Sequence, residues 1–157
     1  MLTDASGNGV PDADVTISIN PVAYYKGVRA WDGSLWSVVD SGAGACANED
    51  VNENGILDAG EDTNGNGKLD PGNVVAAPST VTTGSDGSFE FDLVYAEDYA
   101  DWVAVKLTAA TEVSGTEATH TVNFTLPVSA ADINVQTVAP PGPTSLYGTA
   151  AVCTDPT

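Results

Sequence analysis

Basic residues are scarce in this chain. Its 157 residues include 4 Lys and Arg against 22 Asp and Glu, which gives a formal net charge of −18. So much negative charge repels nucleic-acid phosphate and the headgroups of anionic lipids. The charge therefore excludes nucleic-acid binding, and an acidic surface of this kind is typical of proteins that stay soluble outside cells.

Long apolar runs are absent as well. No run approaches the roughly 18 apolar residues that a membrane helix needs, and the start of the chain lacks the basic and apolar regions of a signal peptide. We therefore expect no membrane insertion, and we expect any export signal to lie outside this chain. Because the chain enters a turn and a strand almost at once, we also expect a domain of a longer polypeptide with neighbouring domains.

Reactive side chains are few. His120 is the one histidine and stands between two threonines in a predicted strand, where a solvated side chain is a better interpretation than a general base. The carboxylates could form a glycosidase pair, but those clustered in one loop are better explained as metal ligands, and Glu90 and Asp92 take outward strand positions. We therefore expect no enzymatic activity.

Cysteine is limited to Cys46 and Cys153, which are too few for a disulfide framework. The two either form one bridge, tying the C-terminal tail to the base of the acidic loop, or remain two unrelated thiols. The sequence leaves both interpretations open.

What the chain does contain is apolar residues in short alternating bursts, the period of half-buried strands. The alternation predicts strands at 14–20, 88–95, 102–110 and 120–126, and β-branched and aromatic content adds 24–31, 35–39, 79–83 and 132–138. Turn-forming residues lie between several of these segments, including 113–117, and no segment shows a helical period.

This pattern predicts an all-β fold, with an antiparallel Greek-key β-sandwich as the expected architecture. We assign the sandwich to residues 1–139, with an insertion at 46–73. Residues 140–157 begin with three prolines among four residues and cannot continue a central strand. They are predicted to be a tail strapped over the sandwich or a disordered linker.

The insertion contains an internal repeat. It reads DVNENGILDAGE at 50–61 and DTNGNGKLDPGN at 62–73, with no gap between the two copies. A calcium loop of the EF-hand type takes oxygen ligands from positions 1, 3, 5, 7, 9 and 12 and has Gly at position 6. The spacing predicts one or two bound Ca²⁺ ions.

The predicted ligands follow from those positions. For the first repeat they are Asp50, Asn52, Asn54, the Ile56 carbonyl, Asp58 and Glu61. For the second they are Asp62, Asn64, Asn66, the Lys68 carbonyl and Asp70.

The second repeat departs from the pattern at position 12, where Asn73 cannot act as a bidentate carboxylate. We expect a weaker second site, or one completed by a carboxylate from elsewhere, such as Glu49, Glu53 or Asp40. Mg²⁺ fits so many protein oxygens poorly, and Zn²⁺ prefers Cys and His. The alternative is a calcium-free acidic linker, since Gly, Asn and Asp also favour turns.

No helices flank the repeats, which therefore resemble the calcium loops of dockerin modules and thrombospondin type 3 repeats. Without paired helices to open, a sensor switch has no moving part. The lack of flanking helices therefore favours a structural role for calcium.

Four further stretches resemble bacterial Ig-like domains of the invasin and intimin type. They are DASGNGVPDADVTISI at 4–19, TTGSDGSFEFDL at 82–93, WVAVKLTAAT at 102–111 and THTVNFTLP at 119–127. The resemblance implies an Ig-like module of a secreted or surface-anchored bacterial protein. It transfers no catalytic residue.

Two functions remain in competition. In the first, the chain is a non-enzymatic structural module of an extracellular or cell-surface protein, and calcium orders and stiffens the inserted loop. In the second, it is a calcium-dependent recognition or adhesion module that binds glycan or protein near Trp31 and Trp36, because exposed aromatic rings stack on sugars and protein partners. The plainer interpretation of those two rings is that they fill the core or lie under the calcium loop.

Overall fold

The computed structural model describes residues 1–113 and 116–157, and these residues form β-structure almost throughout. The strands are β1 (Asp14–Tyr24), β2 (Gly27–Trp31), β3 (Trp36–Asp40), β4 (Cys46–Ala47), β5 (Val75–Ala76), β6 (Thr80–Thr82), β7 (Val94–Tyr95), β8 (Val103–Val113) and β9 (Thr116–Thr125). Among the described residues, the single helical element is a 3₁₀ turn at Glu97–Tyr99. The predicted all-β class is confirmed.

The strands form three sheets. The largest has the order β4–β1–β8–β9, with β6 also paired to β1, while β2 pairs with β3 and β5 with β7. Pairing is antiparallel between β1 and β4, between β1 and β6, and between β2 and β3.

Two predicted strands are wrong in whole or in part. Residues 132–138 lie in turns, where the Val138 amide donates to the Val135 carbonyl. In 88–95 only Val94–Tyr95 is a strand. Phe89, Phe91, Leu93 and Tyr95 are half-buried there and the residues between them are exposed. The pattern therefore predicted the sides of an extended segment but not a hydrogen-bonded partner strand for it. The predicted turn at 113–117 includes residues 114 and 115, which lie outside the described residues.

The chain divides into two compact units. The first comprises Met1–Ile19, Val75–Val94 and Lys106–Asn123. Its buried side chains include Val15 and Ile17, both on the face predicted from period-two alternation. Thr83 also supports this unit, because its hydroxyl accepts from the Ala13 amide and donates to the Val10 carbonyl.

The second unit comprises Asn20–Val74, Tyr95–Val105 and Phe124–Thr157, and it contains the inserted loop. Tyr24, Trp102, Val103 and Leu126 are fully buried in it. Arg29 is buried too, with its guanidinium over the Trp102 ring at 5.6 Å.

The tail at 140–157 is packed within the second unit as a strap. It follows the outer edge of β2, where the Gly27 and Arg29 amides donate to the Gly148 and Pro143 carbonyls. Residues 1–113 and 116–157 contain no helix with the length and apolar character that a bilayer crossing requires.

Candidate metal centre

The first repeat folds into a loop whose side chains turn inward on one another. The Asp50 carboxylate accepts from the amides of Asn54 and Gly55 at 3.0 and 2.8 Å. The side-chain amides of Asn52 and Asn54 both donate to Asp58 Oδ2 at 2.9 Å. Positions 1, 3, 5 and 9 of the repeat therefore meet in one network.

The second repeat reproduces this network position by position. Asp62 accepts from the amides of Asn66 and Gly67 at 3.0 and 2.9 Å. Asn64 and Asn66 both donate to Asp70 Oδ2 at 2.7 Å. The equivalence extends the sequence repeat into three dimensions.

Glu61, at position 12, closes the first loop. Its Oε1 accepts from the Val51 amide at 3.1 Å, and its Oε2 accepts from the Asp58 amide at 2.9 Å. Its own amide donates to the Asp58 carbonyl at 3.2 Å. The carboxylate thus spans positions 2 and 9 of its own repeat.

Glu49 makes the same three contacts in the second loop. Its Oε1 accepts from the Thr63 amide at 3.0 Å, and its Oε2 accepts from the Asp70 amide at 3.0 Å. Its amide donates to the Asp70 carbonyl at 2.9 Å. Glu49 therefore takes the place of a position-12 carboxylate in the second loop, although it precedes the first repeat in the chain.

Additional donors hold Glu49 more firmly than Glu61. Glu49 Oε1 also accepts from the Thr63 hydroxyl at 2.6 Å and from the Asn64 amide at 3.2 Å. Glu49 is 2% exposed and Glu61 7%. A buried carboxylate requires such donors, because burial without them is costly.

The two loops differ in depth. Asn64 and Asp70 of the second loop are buried, whereas Asn52, Asn54 and Asp58 of the first are exposed. Hydrogen bonds from Asn52 and Asn54 lower the pKa of the exposed Asp58 carboxyl. A carboxylate that stays ionised at neutral pH is the form that ligates a metal.

Aromatic side chains support the second loop from within the unit. Tyr24 and Tyr147 pack with ring centroids 4.7 Å apart, and the Tyr147 hydroxyl donates to the Pro71 carbonyl at 3.2 Å. Burial raises the pKa of Tyr24, while a hydrogen bond with Asn64 opposes that shift. The strap residue Tyr147 thus reaches the end of the second repeat, a contact that no local sequence pattern predicts.

The remaining predicted residues are placed as follows. Among the described residues, no backbone amide donates to the carbonyls of Ile56 and Lys68. Glu53 accepts from the Asn20 side chain at 2.8 Å, and Asp40 lies at the end of β3. Neither closes the second loop in the way that Glu49 does.

Cys46 and Cys153 are joined by a disulfide that spans 107 residues.

Trp31 and Trp36 contact each other edge to face, with ring centroids 6.3 Å apart, and both rings are half-buried. The Trp36 indole donates to the Val135 carbonyl at 3.0 Å, so the pair packs on the second unit rather than standing free of it.

The described residues contain no group of three or more His, Cys, Asp and Glu side chains placed to hold a metal ion. Each loop instead combines carboxylates with Asn side chains. The side-chain nitrogens of these Asn residues donate to Asp58 in the first loop and to Asp70 in the second. Rotation of those amides would turn their oxygens inward, and oxygen is the ligand atom that Ca²⁺ takes.

Comparison of the chain with protein-family models, with curated proteins and with solved structures found no match.

Proposed function

We propose that this chain is a non-enzymatic calcium-binding module of a secreted or cell-surface bacterial protein. Calcium ions bound in the two repeats order the inserted loop and stiffen the second unit. The observation that carries the proposal is the equivalence of Glu49 and Glu61. Each repeat then has a carboxylate in the position where calcium loops of this spacing place a bidentate ligand.

This equivalence alters what we propose for the second loop. Because Asn73 stands at position 12, the sequence predicts either a weaker second site or one completed by Glu49, Glu53 or Asp40. Since Glu49 supplies the carboxylate and the loop around it is buried, we propose that the second loop binds calcium at least as tightly as the first. Its preformed backbone leaves less ordering entropy to offset on binding.

A structural role suits the surroundings of the loops. The second loop rests on Tyr24 and Tyr147, and the strap is bonded to the same unit through Cys153. An ion at 100 times its Kd adds about 2.7 kcal/mol to stability. That is a large part of a typical domain's margin.

The experiment is a thermal melt of the calcium-stripped protein, repeated with millimolar CaCl₂ and with MgCl₂ at equal ionic strength. We expect Tm to rise with calcium alone, and isothermal titration to give two ions per chain. The double variant Glu49→Gln/Glu61→Gln should lose both effects. A wild-type Tm that is the same in all three buffers would overturn the proposal.

Recognition of a glycan or protein near Trp31 and Trp36 is the second candidate. It is favoured by the half-buried state of both rings, which leaves aromatic surface for a ligand. A glycan array probed with and without calcium tests the glycan form, and specific calcium-dependent hits would support it.

A further inference from the structure

Among the described residues, part of one strand edge of the β2–β3 hairpin has no partner strand. β2 and β3 pair in the register Arg29 with Val38 and Trp31 with Trp36. The Trp36 amide points away from β2, since it donates to the Ile133 carbonyl at 2.9 Å. Because main-chain groups alternate in direction along an antiparallel strand, the Val38 and Asp40 amides point the same way.

Beyond Trp36, the outward amides of β3 have no main-chain partner among the described residues. In the part of the chain that the structure describes, neither the Val38 nor the Asp40 amide donates a main-chain hydrogen bond outside the hairpin. On the opposite edge, the Gly27 and Arg29 amides of β2 donate to the strap. That edge is thus paired from Gly27 to Arg29, whereas the edge on β3 is unpaired at Val38 and Asp40 among the described residues.

Residues of this part of β3 line a groove of about 480 Å³. Its lining includes Tyr25, Trp36, Val38, Asp40, Asp101 and Ile133. Trp36, Val38 and Asp40 alternate along β3 and so share one face of it. Along that face an aromatic ring, an aliphatic side chain and a carboxylate follow one another.

The two carboxylates of the groove differ in their charge balance. Asp101 Oδ2 is paired with Arg29 at 2.8 Å, which neutralises it locally. Asp40 is exposed and makes no ion pair among the described residues. The unbalanced charge of the groove is therefore that of Asp40, at its bare end.

We propose that this edge of β3 binds an extended peptide segment that carries a lysine or arginine. The peptide main chain pairs with Val38 and Asp40 as an added strand. Its basic side chain lies beside Asp40, with the aliphatic stem against Val38 and the aromatic rings. Charge favours this partner, since a basic segment is also attracted by the net charge of −18.

This inference goes beyond the calcium proposal and narrows the recognition candidate to one class of partner. The probe is an N-acetylated, C-amidated peptide, Thr-Val-Thr-Lys-Thr, titrated into the calcium-loaded ¹⁵N-labelled protein. We expect shifts at the Val38 and Asp40 amides and at the Trp36 indole. Replacing the peptide's Lys by Gln should weaken binding about threefold, the scale of one exposed ion pair.

Variants separate the ion pair from general charge attraction. Asp40→Asn should abolish the preference for the Lys peptide over the Gln peptide. Asp92→Asn removes an exposed carboxylate from the other unit and should leave that preference unchanged. Because calcium binding is measured separately, the two proposals fail independently.

Three results would overturn the proposal. They are equal affinity of the wild-type protein for both peptides, shifts that map to another strand edge such as β9, and no shift at millimolar peptide. Equal affinity would indicate recognition by main chain and apolar surface alone.

Discussion

Glu49 and Glu61 lie twelve residues apart in the chain, and each spans the second and ninth positions of a different loop. The carboxylate that closes the second loop therefore comes from just before the first loop begins. Each Glu closes one loop and immediately precedes the first predicted ligand of the other loop.

Replacing Glu49 should affect the second loop most. Glu49→Gln puts an amide where four hydrogen-bond donors converge, so we expect a loss of about 1–3 kcal/mol in unfolding free energy without calcium. Calorimetric titration should find one ion per chain in place of two. Glu53→Gln, which changes a carboxylate of the first repeat outside its ligand positions, is the control and should retain both ions.

Gly55 should tolerate asparagine better than alanine. It sits at position 6 with φ of +74°, and a Cβ there would touch nothing within 4 Å. The cost of Gly55→Ala is thus backbone strain alone, about 1–2 kcal/mol, which corresponds to about tenfold weaker calcium binding. Gly55→Asn should cost less, because Asn adopts this conformation more readily. Equal calcium affinity of Gly55→Ala and wild type would show that position 6 does not hold the turn.

Reducing the disulfide should lower stability substantially. The Cys46–Cys153 bond closes a loop of 107 residues, for which chain entropy gives on the order of 5 kcal/mol. Denaturant unfolding with and without reductant measures the difference. The variant Cys46→Ser/Cys153→Ser should match the reduced wild type and be insensitive to reductant.

Replacing Lys26 should destabilise the fold more than replacing Lys68. Lys26 is 1% exposed, and its ammonium donates to the Asp155 and Val152 carbonyls of the strap. Lys26→Met leaves these carbonyls without their donor, so we expect a loss of about 1–3 kcal/mol. Lys68→Met alters an exposed side chain and should change stability by no more than about 0.5 kcal/mol. Similar denaturation midpoints for the two variants would show that Lys26 does not anchor the strap.

Asp32 should stabilise the β2–β3 hairpin only while its carboxyl is ionised. The amides of Leu35 and Ser34 and the Ser37 hydroxyl lower the pKa of its carboxyl below 3.8. Because the pKa of this carboxyl is lower in the folded state than in the unfolded state, its ionised form stabilises the fold at pH values above the unfolded-state pKa. That stabilisation is lost as the pH falls through the folded-state pKa. We expect Asp32→Asn to flatten the decline of Tm in acid. A carboxyl titration by NMR that gives an ordinary pKa for Asp32 would contradict this.

Period-two alternation was sufficient to predict most of the fold. β1 and β8 begin within one residue of the predicted strands, because alternating apolar residues bury one face whatever their partners are. Residues 88–95 differ from the prediction in their strand pairing. They keep the predicted sides, but hydrogen-bonded pairing depends on which chain lies alongside, and a local pattern does not contain that information.

The sequence by itself determined the two repeats, their ligand spacing and the Gly at each sixth position, because these follow from distances within twelve residues. Only the tertiary structure decided which carboxylate closes the second loop. Three were open from the sequence, and Glu49 reaches Asp70 across 21 residues of chain because the two repeats fold back on each other. It also decided that Cys153 and Tyr147 anchor the strap to that unit. Contacts between distant residues depend on how the whole chain packs, and no local spacing specifies them.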